Sequence, residues 1–234
     1  MDSNSRKKIK EGFIAGLPVV LGYFPIAMAF GLLSKNTGIS FRDTSLFSVM
    51  VYAGASQFMA LDLIMAGVST NGIILATFLL NSRHMMMSAS LSLKLKGVKK
   101  SFLPIIAHGI TDETFSVASF NIDKISLPYI LVLNISSYIS WIGGTMVGFL
   151  VGEILPKSLQ SSLSIGLYAM FAALLFPEFK KSKNIIILFF VSSIIYGSIY
   201  YLKIFTSGWD IIIAILLSSF IGVYLPKKKE DDSQ

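Results

Sequence analysis

Eight stretches of about twenty apolar residues, joined by short polar connections, leave this chain few places to fold other than a lipid bilayer. The blocks run approximately Gly12–Ser34, Thr44–Gly67, Gly72–Leu91, Phe102–Phe120, Pro128–Val151, Leu159–Pro177, Ile185–Leu202 and Trp209–Leu225. Barrel strands would alternate apolar and polar positions over about ten residues, and these blocks do not. The sequence therefore predicts an all-α, polytopic transmembrane helical bundle. Only 14% of the residues are charged and 53% are hydrophobic. A soluble domain carries about 25% charged residues, so a chain this poor in charge could not cover a surface facing water.

The net charge is +7, and the bases are concentrated in tails and connections: Arg6 to Lys8, Lys94 to Lys100, Lys180 to Lys183 and Lys227 to Lys229. Bases beside membrane spans set topology and meet anionic lipid. That placement argues against nucleic acid as a partner. The start, Met1 to Glu11, is polar, and the block after it is too long for a signal-peptide core, so it reads as a retained first span. With no cysteine there is no disulfide and no thiolate metal site. Two histidines 24 positions apart make no zinc site, and phosphate-loop and nucleophile-elbow motifs are absent. No metal, cofactor or catalytic residue is expected.

Keeping every strongly basic connection in the cytoplasm is impossible with eight simple crossings. It becomes possible if the second and sixth blocks each enter and leave on one side, as re-entrant hairpins or pairs of half-helices. The other six then cross, both termini lie in the cytoplasm, and the two hairpins hang from opposite faces, as in an inverted repeat. Phe30-Gly31-Leu32-Leu33 echoes Val147-Gly148-Phe149-Leu150, and Phe58-Met59-Ala60-Leu61 echoes Phe171-Ala172-Ala173-Leu174. On this reading residues 1–11 form a cytoplasmic segment and 12–225 one transmembrane domain, with repeat halves 12–120 and 128–225. Residues 226–234 form a charged tail.

Polar groups at depth mark the candidate site. Pro18, Gly22 and Pro25 in the first block predict a break or kink, because proline removes a backbone donor and crowds the preceding turn. Tyr52-Ala53-Gly54-Ala55-Ser56-Gln57 in the second block combines a permissive glycine with hydrogen-bonding side chains. Gly54, Ser56 and Gln57 are candidate solute ligands there, or else glue between helices. Asn81-Ser82-Arg83-His84 interrupts the middle of the third block. A central arginine costs about 2.5–3.5 kcal/mol on insertion scales, so Arg83 needs an acid, a cavity or a bound anion. In the fourth block, His108 and Asp112-Glu113 supply the acids, and Asp112 or Glu113 can pair with Arg83. Asn81 and Asp112 join the candidate ligands. His84 and His108, which titrate nearest neutral pH, join Asp112 and Glu113 as candidates for ion coupling. Phe58, Met85 and Phe115 are candidates for an apolar lining.

Gly16-Leu17-Pro18 with Pro25 and Phe30-Gly31, Ala53-Gly54-Ala55-Ser56-Gln57-Phe58, Asn81-Ser82-Arg83-His84 with Ser88-Ala89-Ser90, Thr111-Asp112-Glu113 and Ala169-Met170-Phe171 follow one another in an order that resembles the AzlC family of branched-chain amino acid permeases. Two positions depart from that pattern: Asp62 stands where a small or apolar residue is expected, and Ser164 where members carry an acid. The resemblance implies a secondary transporter in the plasma (inner) membrane that exports branched-chain amino acids or their analogues. It also implies a separately encoded small membrane partner of the AzlD type, and higher oligomers are compatible with it. Export of another small organic solute, a non-transporting subunit of a membrane complex, and a membrane enzyme are the competing readings.

Overall fold

The computed structural model describes residues 3–95, 98–156, 183–202 and 209–224, with a few single positions between 158 and 179. Among the described residues the regular structure is helical. Helix α1 spans Ser3–Asn36, α2 Phe41–Met50, α3 Gly54–Met65, α4 Thr70–Ser92, α5 Leu103–His108 and α6 Asp112–Phe120. Helix α7 spans Leu127–Val151, α8 Lys183–Leu202 and α9 Trp209–Tyr224. Of these, α1, α7 and α8 are long and apolar enough to cross a bilayer. Helix α4 has 23 residues, with Asn81 to His84 lowering its hydropathy. The sixth block falls almost wholly outside the described residues, as does the charged tail.

The contacts divide the chain into two units, one comprising Met1–Leu61 and Thr77–Leu167, the other Asp62–Ala76 and Tyr168–Gln234. The first is organised around α1 and α7, which pack along their whole lengths. Gly12 lies against Tyr129, Gly16 against Leu133, Phe24 against Gly144, Met28 against Gly148 and Leu32 against Gly152. Numbers rise together along both helices, so the pair is parallel. Blocks one and five as copies in an inverted repeat would run antiparallel, which this pair does not. The close approach is what glycine permits: a Cβ on Gly148 would collide with the backbone oxygen of Met28. In lipid, where apolar burial gives no drive to associate, such backbone proximity maximises dispersion contact.

Helix α1 continues through Pro18, Gly22 and Pro25, and the predicted break there is absent. All three face away from the core. Each proline deletes a single hydrogen bond, and the packing of the opposite face against α7 holds the helical course. Within the same stretch, Ser140 Oγ donates to the Val20 carbonyl at 2.6 Å.

The second block does break, at residues 51–53, and it forms a hairpin. Along α2, Phe41 meets Phe149, Ser48 hydrogen-bonds Thr145 and the Val49 carbonyl accepts from Tyr138. Helix α2 thus descends antiparallel to α7, from its C-terminal end to its middle. Helix α3 then climbs back, and Phe30 touches both Phe47 of α2 and Phe58 of α3. The fourth block, expected to cross as one span, is a second hairpin. Asn134 Nδ2 donates to the Ile106 carbonyl, His108 reaches Tyr138 at mid-depth, and Ala118 of α6 returns to the cluster formed by Leu91, Leu95, Ile106, Tyr129 and Ile130. Gly109 sits hard against Asn134, so the α5–α6 turn forms only where backbone can approach α7 without a Cβ between them. The two hairpins enter from opposite ends of the α1–α7 pair. Opposed entry thus occurs within the first 120 residues, between the second and fourth blocks.

In the second unit, α8 and α9 pack antiparallel, with Leu188 against Gly222 and Tyr196 beside Ala214 across a shared apolar groove.

Candidate functional site

The tips of the two hairpins meet halfway along α1 and α7. The first tip carries Tyr52, the one non-glycine position among the described residues with positive φ, at +43°. That backbone costs an L-residue about 1–2 kcal/mol, and aromatic packing holds it. The Tyr52 ring lies 4.9 Å from Tyr138, 6.1 Å from His108 and 6.3 Å from Tyr23. Tyr23 is in turn 5.2 Å from Trp141. The second tip is fixed by a capping box: Thr111 Oγ1 accepts from the Thr114 N–H, and the Thr114 hydroxyl accepts from the Thr111 N–H at 2.8 Å.

Both tips open a helix, α3 at Gly54 and α6 at Asp112, so two positive helix ends lie at mid-depth. Asp112 and Glu113 occupy the first turn of α6, where negative charge is favoured. Consecutive helical positions point about 100° apart, and the two acids take different partners. Asp112 Oδ2 lies 2.9 Å from Arg83 Nη2 of α4. Glu113 Oε2 accepts from Tyr23 Oη at 2.5 Å, and Tyr23 Oη also bonds Thr111 Oγ1 at 2.5 Å.

The candidates in the first hairpin have a different setting. Ser56 and Gln57 are completely buried. Ser56 donates to the Ala53 carbonyl. Gln57 Oε1 accepts from the Ala53 N–H and from Trp141 Nε1, and Gln57 Nε2 donates to Ser48 Oγ at 3.0 Å. Gly54 abuts the Trp141 ring. These groups tie the hairpin to α7. Around Arg83, by contrast, capacity is left over. The Arg83 and Asp112 side chains are 40% and 27% exposed. Arg83 Nε and Asn81 Oδ1 are buried with no hydrogen-bond partner among the described residues.

His84 is half-buried, next to Arg83 on α4, and His108 is exposed at the end of α5. Phe58 lies in the core, Phe115 packs against the cluster beside Tyr129, and Met85 faces outward at 67% exposure. Asp62 is also exposed. Ser164 lies outside the described residues. Sequence reading named Thr111 only within the Thr111-Asp112-Glu113 run and Tyr138 only within a polar stripe of the fifth block, and it gave Tyr23 and Trp141 no role in the site. A tyrosine and a tryptophan at depth in apolar blocks look like packing until their partners are seen.

Long apolar helices, two opposed broken hairpins and an ion pair at their junction define an integral membrane protein built as an all-α bundle. The AzlC protein family matches residues 18–155, and the chain belongs to that family. Its relatives include an uncharacterized membrane protein of Archaeoglobus fulgidus, 35% identical over 73% of this chain and 76% of that one. The inner membrane protein YgaZ of Escherichia coli is 31% identical over 75% of each chain. The branched-chain amino acid transport protein AzlC of Bacillus subtilis is 24% identical over 77% of this chain and 73% of its own. No solved structure matches.

Proposed function

We propose that this protein is a secondary transporter that exports branched-chain amino acids across the plasma membrane. One observation carries the reading. The Arg83–Asp112 pair stands at the junction of two opposed hairpins, part-exposed, with Arg83 Nε and Asn81 Oδ1 lacking partners among the described residues. A zwitterion can replace such a pair in kind, its carboxylate taking the guanidinium fork and its ammonium the Asp112 carboxylate. Charge is conserved in the exchange, so the solute meets no uncompensated ion at depth. Of the two anion sites that the sequence suggests, Arg83 is favoured over Gly54 to Gln57, whose side chains already bond the Ala53 backbone, Ser48 and Trp141.

The hairpin tips give the exchange a barrier on each side, and rocking of the hairpins against the α1–α7 pair is the motion that alternates access. Glu113, held by Tyr23, is a candidate coupling acid, with His108 five residues before it and His84 next to Arg83 as further candidates. The relative from Bacillus subtilis supports the substrate class by its name. A small AzlD-type membrane subunit completes the proposal, and no chemical step on the solute is involved.

Purified protein in proteoliposomes should exchange labelled leucine and valine in counterflow, with and without the small subunit. Arg83→Gln should lower the flux at least about tenfold, the equivalent of one charge-assisted hydrogen bond, while the protein still folds and inserts. Full flux in Arg83→Gln would remove the site assignment. A well-folded protein with no flux of any amino acid would favour a purely structural subunit.

A further inference from the structure

A cavity of about 390 Å³ lies between α1, α6 and α7, at the end where the N-termini of α1 and α7 sit, well away from the Arg83–Asp112 pair. Its walls include Ile14, Val117 and Phe120, which are apolar, and Glu11, Lys124 and Tyr129, which are not. Tyr129 is completely buried, yet its hydroxyl has no hydrogen-bond partner among the described residues. An unpaired buried hydroxyl costs about 1–3 kcal/mol, a cost that a ligand in the cavity would remove. Glu11 Oε2 is also buried without a hydrogen bond among the described residues, and it has an ion-pair contact with Lys8 Nζ at a long 3.4 Å. Lys8 Nζ also reaches the Lys124 carbonyl at 3.5 Å.

One carboxylate, one orphan hydroxyl and one lysine around a largely apolar pocket suit a ligand with both charges and an apolar part. We propose that this cavity is a second binding site for a small zwitterion, its ammonium on Glu11 and its anionic group toward Lys124 and the Tyr129 hydroxyl. Ile14, Val117 and Phe120 would receive the apolar group. The inference rests on the transport reading only for its choice of leucine as probe. In a path through the protein, such a site would hold the solute at the α1 N-terminal end before or after the central pair. The same chemistry, an ammonium a few bonds from an oxyanion, is offered by a free amino acid and by an ethanolamine phospholipid headgroup.

Equilibrium binding of labelled leucine to the full chain in phosphatidylcholine nanodiscs tests this. The wild type should bind two equivalents, Arg83→Gln and Glu11→Gln one each, and the double variant none. Tyr129→Phe, which keeps the ring in place, should weaken the Glu11-dependent site several-fold and leave the other untouched. Leucine flux with unaltered binding in Glu11→Gln overturns the second site alone. Glu11-dependent binding without flux overturns the transport reading alone, and no bound leucine in the wild type overturns both. In phosphatidylethanolamine nanodiscs, loss of the Glu11-dependent equivalent assigns the site to the lipid headgroup, and its persistence assigns it to the free amino acid.

Discussion

Tyr23 and Tyr52 face each other across the junction, and their hydroxyls differ in a way that single-atom changes can read. Tyr23 Oη donates to Glu113 and bonds Thr111, so it holds α1 to the tip of the second hairpin. Tyr23→Phe removes a hydrogen bond to a carboxylate in a part-buried setting and should cost about 1.5–3 kcal/mol. The Tyr52 hydroxyl is buried, with no partner among the described residues. Tyr52→Phe should therefore leave stability unchanged or raise it slightly. Thermal unfolding of both variants in the same detergent checks the pair, and a loss in Tyr52→Phe equal to that in Tyr23→Phe would contradict the arrangement. Gln57 gives a sharper case. Gln57→Leu would strip the partner from both the Trp141 N–H and the Ala53 N–H, while the Ser48 hydroxyl keeps Thr145. A fall of at least about 2 kcal/mol is expected, since each buried group left unpaired carries a penalty of about 1–3 kcal/mol. The same measurement reads it.

At the scale of elements, the α1–α7 contact decides where everything else can sit, and adjacent glycines of α7 test it. Gly143 has open space where a Cβ would stand, while a Cβ on Gly144 would meet the Phe24 carbonyl and Ala27. Gly143→Ala should be tolerated and gain up to about 1 kcal/mol of helix propensity. Gly144→Ala must push the helices apart, and it should lower both the melting temperature and the yield of folded protein. Equal behaviour of the two would show that the helices do not approach there. Much of this level was legible beforehand. The helical blocks follow from apolar run length, and the hinge in block two follows from Gly54 among polar neighbours. The ion-pair candidates follow from the insertion cost of Arg83. The hinge in block four was not legible, because His108-Gly109-Ile110-Thr111 carries a single glycine and reads as an ordinary span. Only Asn134, 25 residues downstream of Gly109 and packed on it, shows why the chain turns there. The proline break in α1 was expected from local chemistry and overridden by packing against a helix more than a hundred residues away. Parallel alignment of α1 and α7 is likewise a long-range outcome that repeated Phe-Gly-Leu-Leu-like patterns do not encode.

For the whole molecule, the two hairpins make a prediction about sidedness that differs from the one read from hydropathy. If block four crossed, residues 99 and 124 would lie on opposite faces of the membrane. As a hairpin it returns to its starting end, and Lys8 Nζ reaching the Lys124 carbonyl places the N-terminal ends of α1 and α7 together. Arg6, Lys7, Lys8, Lys10 and Lys124 then gather at one end, with Lys94, Lys99 and Lys100 flanking the α4–α5 connection there. Lys35 and Arg42 stand at the other, beside Phe149 and the start of α2. An excess of basic residues marks the cytoplasmic face. Because the chain has no cysteine of its own, single cysteines report cleanly. Lys99→Cys and Lys124→Cys should react with a membrane-impermeant maleimide only in inside-out vesicles, and Thr37→Cys and Arg42→Cys only in right-side-out ones. Labelling of positions 99 and 124 from opposite sides would make block four a crossing after all. It would also put the Asp112 tip in a helix that passes through the membrane, and the ion-pair exchange would lose the hairpin whose movement opens it.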